Sequence, residues 1–204
     1  MEMREFGGTG IRASVVGLGC NNFGIYQNAA QAVAVVRKAL DVGINFLDRA
    51  GEHGSGLEES LVAEALGPRR KEVIIATKFG QAEMLGLKDG DLVFSEDKTR
   101  QGASRRWIMQ AVEESLTRLK TDYIDLYQVH IADPETPREE TLRALDDLVR
   151  QGKVRALGEA ATFATADDLN TPQAIAAANG LAPFVTIEVK CSILLRDAEK
   201  PVIQ

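Results

Sequence analysis

Charged and imidazole side chains stand at the ends of five short apolar runs in this sequence. The runs end in Asp48, Lys78, His130, Glu159 and Glu188. If these runs are adjacent parallel strands, their carboxyl ends meet at one rim, where ligands and chemistry are found on open sheets and closed barrels alike. An ammonium beside a carboxylate and an imidazole suits proton transfer, because each group shifts the pKa of its neighbours. The pattern therefore predicts an active site at this rim.

Other chemistries are less well supported by the residue spacing. The second histidine, His53, follows Asp48 closely and belongs to the same rim, but no pair of His, Asp or Glu residues has a compact metal-ligand spacing, so we predict no metal site. The turn at Gly17-Leu18-Gly19-Cys20 has glycines near a strand end but lacks the third glycine of a dinucleotide fingerprint. Both cysteines, Cys20 and Cys191, are expected to be buried thiols without a disulfide.

Alternating strand-like and helical patterns predict the elements that position this rim. Such alternation is typical of parallel strands joined by helical crossovers. Residues 4–14 look like a hairpin that precedes the repeat and covers one end, and residues 80–103 are expected to be a long surface loop. Six strands are predicted, at residues 15–19, 45–48, 73–78, 124–130, 156–159 and 184–188.

Apolar stripes and capping signals predict the helices. One face carries Ile108, Ala111, Val112, Ser115, Leu116 and Leu119, and another carries Leu142, Leu145, Leu148 and Val149. Thr136 and Ser55 each precede a glutamate three residues later, a pattern that indicates a helix start with a reciprocal cap.

Composition limits the possible partners. The chain has 204 residues, 45% hydrophobic and 26% charged, and a net charge of −6, which predicts one globular domain over residues 1–204 and disfavours nucleic acid as a partner. No apolar run approaches the roughly 20 residues of a membrane span, and the charged start does not resemble a secretory signal, so we expect a cytoplasmic protein without a membrane partner.

Several stretches in order resemble the aldo/keto reductases. They are residues 4–20 (REFGGTGIRASVVGLGC), 43–48 (GINFLD), 75–80 (IATKFG), 121–130 (TDYIDLYQVH) and 145–154 (LDDLVRQGKV). The resemblance implies an eight-stranded (β/α) barrel of TIM type that reduces carbonyl groups with NADPH. It also implies that hydride goes to the carbonyl carbon while a tyrosine, tuned by a lysine and steered by a histidine and an aspartate, protonates the oxygen.

Carried over by position, the resemblance assigns roles to residues of this chain. Asp48, Lys78 and His130 match the aspartate, lysine and histidine, while His53 stands where the family has its tyrosine. An imidazole has an unperturbed pKa of about 6.5 rather than the phenol's value of about 10, so it can act as a general acid or as a general base.

The cofactor positions depart further from the family pattern. Ala160, Ala161 and Glu188 stand where the family holds the nicotinamide amide with a Ser-Asn pair and a glutamine. The candidate cofactor-binding residues are therefore Gly19, Cys20, Asp48, Ala160, Ala161 and Glu188. The sequence supplies about six of the eight βα units, without the phosphate-binding part, and the open barrel edges favour association with a second copy of the chain.

Three functions follow from these residues. The first is an NADPH-dependent aldo/keto reductase that acts on a small carbonyl substrate and uses His53 as its acid. The second is an isomerase, lyase or cyclase without redox chemistry, in which His53 or His130 moves a proton beside Lys78. The third is a non-catalytic binding subunit.

Overall fold

A parallel sheet of six strands with helices between them forms the body of the protein. The computed structural model describes residues 1–51, 56–89, 91–160, 166–194 and 196. The sheet contains β3 (Gly17–Gly19), β4 (Phe46–Asp48), β5 (Ile74–Phe79), β8 (Ile124–Val129), β9 (Val154–Ala160) and β10 (Phe184–Glu188). The strands of this sheet stand side by side in their chain order, and each pairs in parallel with its neighbour, because every crossover returns to the adjacent position. The result is an incomplete α/β barrel.

Within the described ranges, five α-helices cover one face of this sheet. They are α1 (Ala29–Asp41), α2 (Leu57–Leu66), α3 (Arg105–Leu119), α4 (Arg138–Arg150) and α5 (Ala166–Asn179). Both predicted apolar stripes are confirmed, since every stripe residue on α3 is buried and, on α4, Leu142, Leu145 and Leu148 are buried while Val149 packs against the core. The helices pack against the outer, convex face of the sheet. The opposite, concave face is therefore available for the predicted site.

The N-terminal hairpin closes one end of the concave face, as predicted. Strands β1 (Met3–Glu5) and β2 (Arg12–Ser14) pair antiparallel. Ile11 from this hairpin packs against Ala76, Leu126 and Ala156 on three neighbouring strands. The amino end of the concave face is therefore filled with apolar side chains, and only the carboxyl end remains for polar groups.

The segment predicted as an irregular loop contains regular structure. Within residues 80–103, β6 (Met84–Lys88) and β7 (Asp91–Phe94) form an antiparallel hairpin, followed by a short 3₁₀ helix (Lys98–Arg100). The prediction of a loop was wrong because Gly86 and the charges mask a strand pattern on either side of the turn, where Asp89 has a φ of 53°. This hairpin lies between β5 and α3 in the chain, just after the rim.

Several predicted local features also differ. Helix α4 begins without a side-chain cap, because the Thr136 hydroxyl donates to Asp133 instead of to the helix. The residue that flanks α2 is Gly56, and Ser55 lies outside the described residues. Cys20 is buried as expected, but Cys191 is exposed, as are residues 192–194 that follow it. No helix in the described part of the chain is both long and apolar enough to cross a membrane.

Candidate active site at the carboxyl ends of the strands

Lys78 is the centre of the predicted rim. Its Nζ donates to Asp48 Oδ1 at 2.6 Å and lies 3.0 Å from Glu188 Oε2, and it faces the Arg49 carbonyl oxygen at 3.5 Å. The lysine side chain is 5% exposed, so this ammonium is held between two carboxylates with little access to water. The predicted grouping of Asp48, Lys78 and Glu188 is thus present in the structure.

Strand alternation explains why these three side chains meet. Successive side chains of a strand point to opposite faces, so Lys78 shares the concave face with Ala76, two residues earlier on β5. Glu188 lies on β10, and β9 and β8 separate that strand from β5 in the sheet. Its carboxylate reaches Lys78 across both strands because the sheet curves around the site.

Glu159 does not join this group, and its assignment to the same rim was wrong. Its carboxylate is buried and pairs with Arg138, at the start of α4, at 3.2 Å. The reason is again the two-residue period, because Gly158 and Ala160 take the concave positions on β9 and Glu159 points toward the helices. A residue that comes directly after an apolar run can therefore point to either face of the sheet.

Of the two histidines predicted for the site, the structure describes only His130. His130 directly follows β8, and its backbone N–H donates to the carbonyl oxygen of Phe79 at 2.8 Å, next to Lys78 in the chain. His53 lies outside the described residues, as does Ala161. Ala160 is buried and pairs in register with Glu188, so it brings a methyl group and no polar side chain to the rim.

Burial governs the ionisation of Asp48 and Cys20. Removal from water raises the pKa of Asp48, the nearby Glu188 charge raises it further, and Lys78 opposes both without cancelling them. Burial also raises the pKa of the Cys20 thiol to about 12. Cys20 belongs to the core, and its backbone N–H donates to the Asp48 carbonyl oxygen, whereas Gly19 is exposed and lines the concave cavity.

A buried ion network behind the rim was not predicted from the sequence. Glu59 on α2 accepts hydrogen bonds from Arg118 Nε at 2.6 Å and from the Thr77 hydroxyl at 3.0 Å, and its carboxylate lies 3.0 Å from Arg49 Nη1. The signal in the sequence is an arginine directly after Asp48 and a Glu-Glu pair in the first turn of α2, whose remaining residues are mostly apolar. The network joins the residue after β4 to β5, α2 and α3, and it lies on the helix side of the sheet, because Thr77 and Lys78 point to opposite faces.

A cavity of about 390 Å³ opens on the concave face. Apolar side chains from the hairpin and the strands form its floor, and Asp48, Gln128, Thr186 and Glu188 form its polar part. Gln128 donates weakly to Glu188 Oε2 at 3.4 Å. Among the described residues, no three His, Cys, Asp or Glu side chains are grouped so that they could hold a metal ion.

Six parallel strands in chain order, joined by helices on one face and curved around polar side chains at their carboxyl ends, are the arrangement of the (β/α)-barrel proteins. The model of the aldo/keto reductase family matches residues 15–204. This match covers most of the sequence, including every strand of the sheet, and the chain belongs to the aldo/keto reductase family.

Individual relatives agree with this assignment. The chain is 38% identical over 158 residues to the uncharacterized oxidoreductase YqkF of Bacillus subtilis (strain 168), covering 78% of this chain and 48% of the relative. It is 34% identical over 218 residues to the versiconal hemiacetal acetate reductase of Aspergillus parasiticus, and this match covers 100% of this chain and 63% of the relative. The chain therefore spans about half to two thirds of the length of these curated relatives.

Solved structures show the same fold. The thermostable aldo-keto reductase Tm1743, in complex with the inhibitor epalrestat, superposes with a TM-score of 0.78 at 29% identity, over 98% of this chain and 66% of that one. The aldo-keto reductase AKR11C1 from Bacillus halodurans, in its holo form, superposes with a TM-score of 0.76 at 32% identity, and the match covers 98% of this chain and 61% of that one.

Proposed function

We propose that the protein reduces the carbonyl group of a small molecule with NADPH, with His53 in place of the family's tyrosine acid. The observation that carries this proposal is Lys78, a nearly buried ammonium held at 2.6 Å by Asp48 at the carboxyl rim. Its two carboxylate partners, Asp48 and Glu188, line the concave cavity, and a fixed positive charge behind them stabilises the negative charge that develops on a carbonyl oxygen during reduction. Membership of an oxidoreductase family and relatives named as reductases support the same reaction.

The polar groups of the cavity suit a nicotinamide carboxamide. That group has an N–H₂ donor and a carbonyl acceptor, and Glu188 supplies an acceptor while the Gln128 amide supplies a donor. Gly19 leaves the surface of β3 open, since a Cβ there would meet nothing within 4 Å. Glu188, Gln128 and Gly19 are thus the described residues that would hold the nicotinamide, and Ala160 adds only apolar surface.

The chain's own residues supply the polar part of the reaction. NADPH, when bound, supplies the hydride. Lys78 stabilises charge on the oxygen side of the substrate, and Asp48 keeps the ammonium in place. We assign the proton to His53, because an imidazolium can donate at neutral pH, and we assign orientation of the substrate to His130.

Binding of NADPH to the purified chain tests the proposal first. Trp107 is the only tryptophan, and it lies on α3, behind the sheet that carries the rim, so energy transfer to a bound dihydronicotinamide should quench its fluorescence. We expect saturable quenching at NADPH concentrations on the order of micromolar. If no binding occurs at millimolar NADPH, the reductase proposal fails, and proton transfer without redox chemistry becomes the better interpretation of the rim.

Restoring the phenol tests the role of His53. His53→Tyr should raise NADPH oxidation with a carbonyl substrate such as an aldehyde, because the phenol then donates the proton. His130→Tyr is the matched control, since it makes the same substitution at the other histidine of the chain and should lower the rate. An unchanged rate in His53→Tyr with NADPH bound would contradict the assigned acid.

A further inference from the structure

Oxygens of the described residues already surround the ammonium of Lys78. A protonated lysine carries three N–H donors. In the described part of the chain, three oxygens lie within 3.5 Å of Nζ, and they belong to Asp48 at 2.6 Å, Glu188 at 3.0 Å and the Arg49 backbone at 3.5 Å. A ligand oxygen that approaches Lys78 therefore competes with these three oxygens for its N–H groups.

Glu188 is the partner that can leave. The Arg49 carbonyl is part of the backbone directly after β4 and is fixed there. The Asp48 side chain is 25% exposed and makes the shorter contact, whereas the Glu188 side chain is 48% exposed and makes the longer one. A half-exposed carboxylate recovers its hydration when it turns toward solvent, so its displacement costs less than that of Asp48.

Glu188 also stands where a ligand would lie. It lines the concave cavity together with Asp48, Gln128 and Thr186. Its Oε2 receives the weak Gln128 hydrogen bond as well as the Lys78 contact, so one carboxylate oxygen occupies the point where the Gln128 and Lys78 donors converge. An oxygen of a bound ligand placed at that point would make the same two contacts.

We propose that Glu188 is an internal competitor for Lys78, which a ligand carrying a carboxylate or carbonyl oxygen must displace. The carboxylate keeps the ammonium in position in the free protein and weakens the binding of anionic ligands. The proposal concerns a specificity-determining residue of the proposed reductase site, and it rests on the proposed function only where NADPH is used as a probe.

Glu188→Gln tests the competition through a gain of binding. Glutamine keeps the size and an acceptor oxygen of the side chain but removes the charge that holds Lys78. With acetate as the probe, followed by NMR shifts of the lysine side chains, the dissociation constant should fall about three- to tenfold, the range expected for loss of a partly exposed ion contact. A loss of fold does not produce tighter binding, so the expected result identifies the competitor.

Two further variants separate the effect of the negative charge from the effect of the length of the Glu188 side chain. Glu135→Gln removes one negative charge from an exposed position on the loop before α4, so it should change acetate binding less than about twofold. Glu188→Asp keeps the charge on a shorter side chain, so it should bind acetate with an affinity between those of the wild type and Glu188→Gln. If Glu188→Gln binds acetate no more tightly than Glu135→Gln, or if acetate binds to neither, the proposal is wrong.

The ionisation of Asp48 gives a readout that needs no ligand. The Glu188 charge is one cause of the raised pKa of Asp48, so Glu188→Gln should lower that pKa, measured from the carboxyl ¹³C shift during a pH titration.

NADPH titrations distinguish the two proposals. If acetate binding tightens but no variant binds NADPH, the competitor stands and the reductase fails. If NADPH binds but the acetate affinity is unchanged, the reductase stands and the competitor fails.

Discussion

Replacing Glu59 by glutamine breaks the ion network that supports the rim. The wild-type carboxylate is fully buried and has three partners, namely Arg118 at 2.6 Å, Thr77 at 3.0 Å and Arg49 at 3.0 Å. Glutamine leaves one acceptor oxygen and turns an N–H₂ group toward a guanidinium, which is also a donor. Arg49, whose side chain is 0% exposed, then has no compensating charge from Glu59.

The expected loss of stability is large. Removing one partner of a buried ion pair costs about 3–5 kcal/mol of unfolding free energy, against a typical total of about 5–15 kcal/mol. Urea unfolding followed by circular dichroism measures it. Glu139→Gln is the control, because Glu139 and Arg143 form an exposed pair one helical turn apart and removing it should cost about 0.5 kcal/mol or less.

The same network predicts the direction of a pH effect. Burial alone would raise the pKa of Glu59, but Arg49 and Arg118 lower it below the ordinary value. Because the folded pKa lies below the unfolded one, of about 4.3, the stabilisation is complete above that value and is lost as the pH falls through the folded pKa. Glu59→Gln should lack this acid-dependent component. A cost below about 1 kcal/mol, or the same acid dependence in both proteins, would refute the reasoning.

Three further changes test other parts of the molecule. Gly7→Ala should lower the melting temperature more than Gly8→Ala, because both glycines have a positive φ but only at Gly7 would a Cβ clash, at 2.7 Å from the Val185 carbonyl oxygen. Asp125→Asn should lower the unfolding free energy in urea by about 3 kcal/mol, since this buried carboxylate accepts from Arg70, Arg155 and the Ile75 N–H. Lys78→Met should raise the pKa of Asp48 further, measured by ¹³C NMR, because the lysine charge lowers it, and should abolish NADPH-dependent turnover.

The sequence predicted which residue types stand at the strand ends, but it did not predict to which face of the sheet each side chain points. Asp48, Lys78 and Glu188 meet as expected, because their strands are parallel and their positions share the concave face. Glu159 has the same sequence signature and points to the helix layer, where it pairs with Arg138. A shift of one residue reverses the face, and an apolar run buried on both sides does not reveal the register.

The hairpin at β6 and β7 shows a second limit. Its strands are short, contain a glycine and carry charges, so their pattern resembles that of a loop. Pairing between the two strands, which the local pattern does not reveal, makes them regular.

The order of the elements and the types of residue at the rim were determined by the sequence, because apolar periodicity and strand-end residues are local properties of the chain. The motifs also identified the family, which the comparisons confirm. Tertiary structure alone decided that one ammonium is shared by two carboxylates, since Lys78 and Glu188 lie far apart in the chain and meet only when the sheet curves. It likewise decided that Arg49, Glu59 and Arg118 form one buried network, because burial and charge compensation depend on contacts between distant elements.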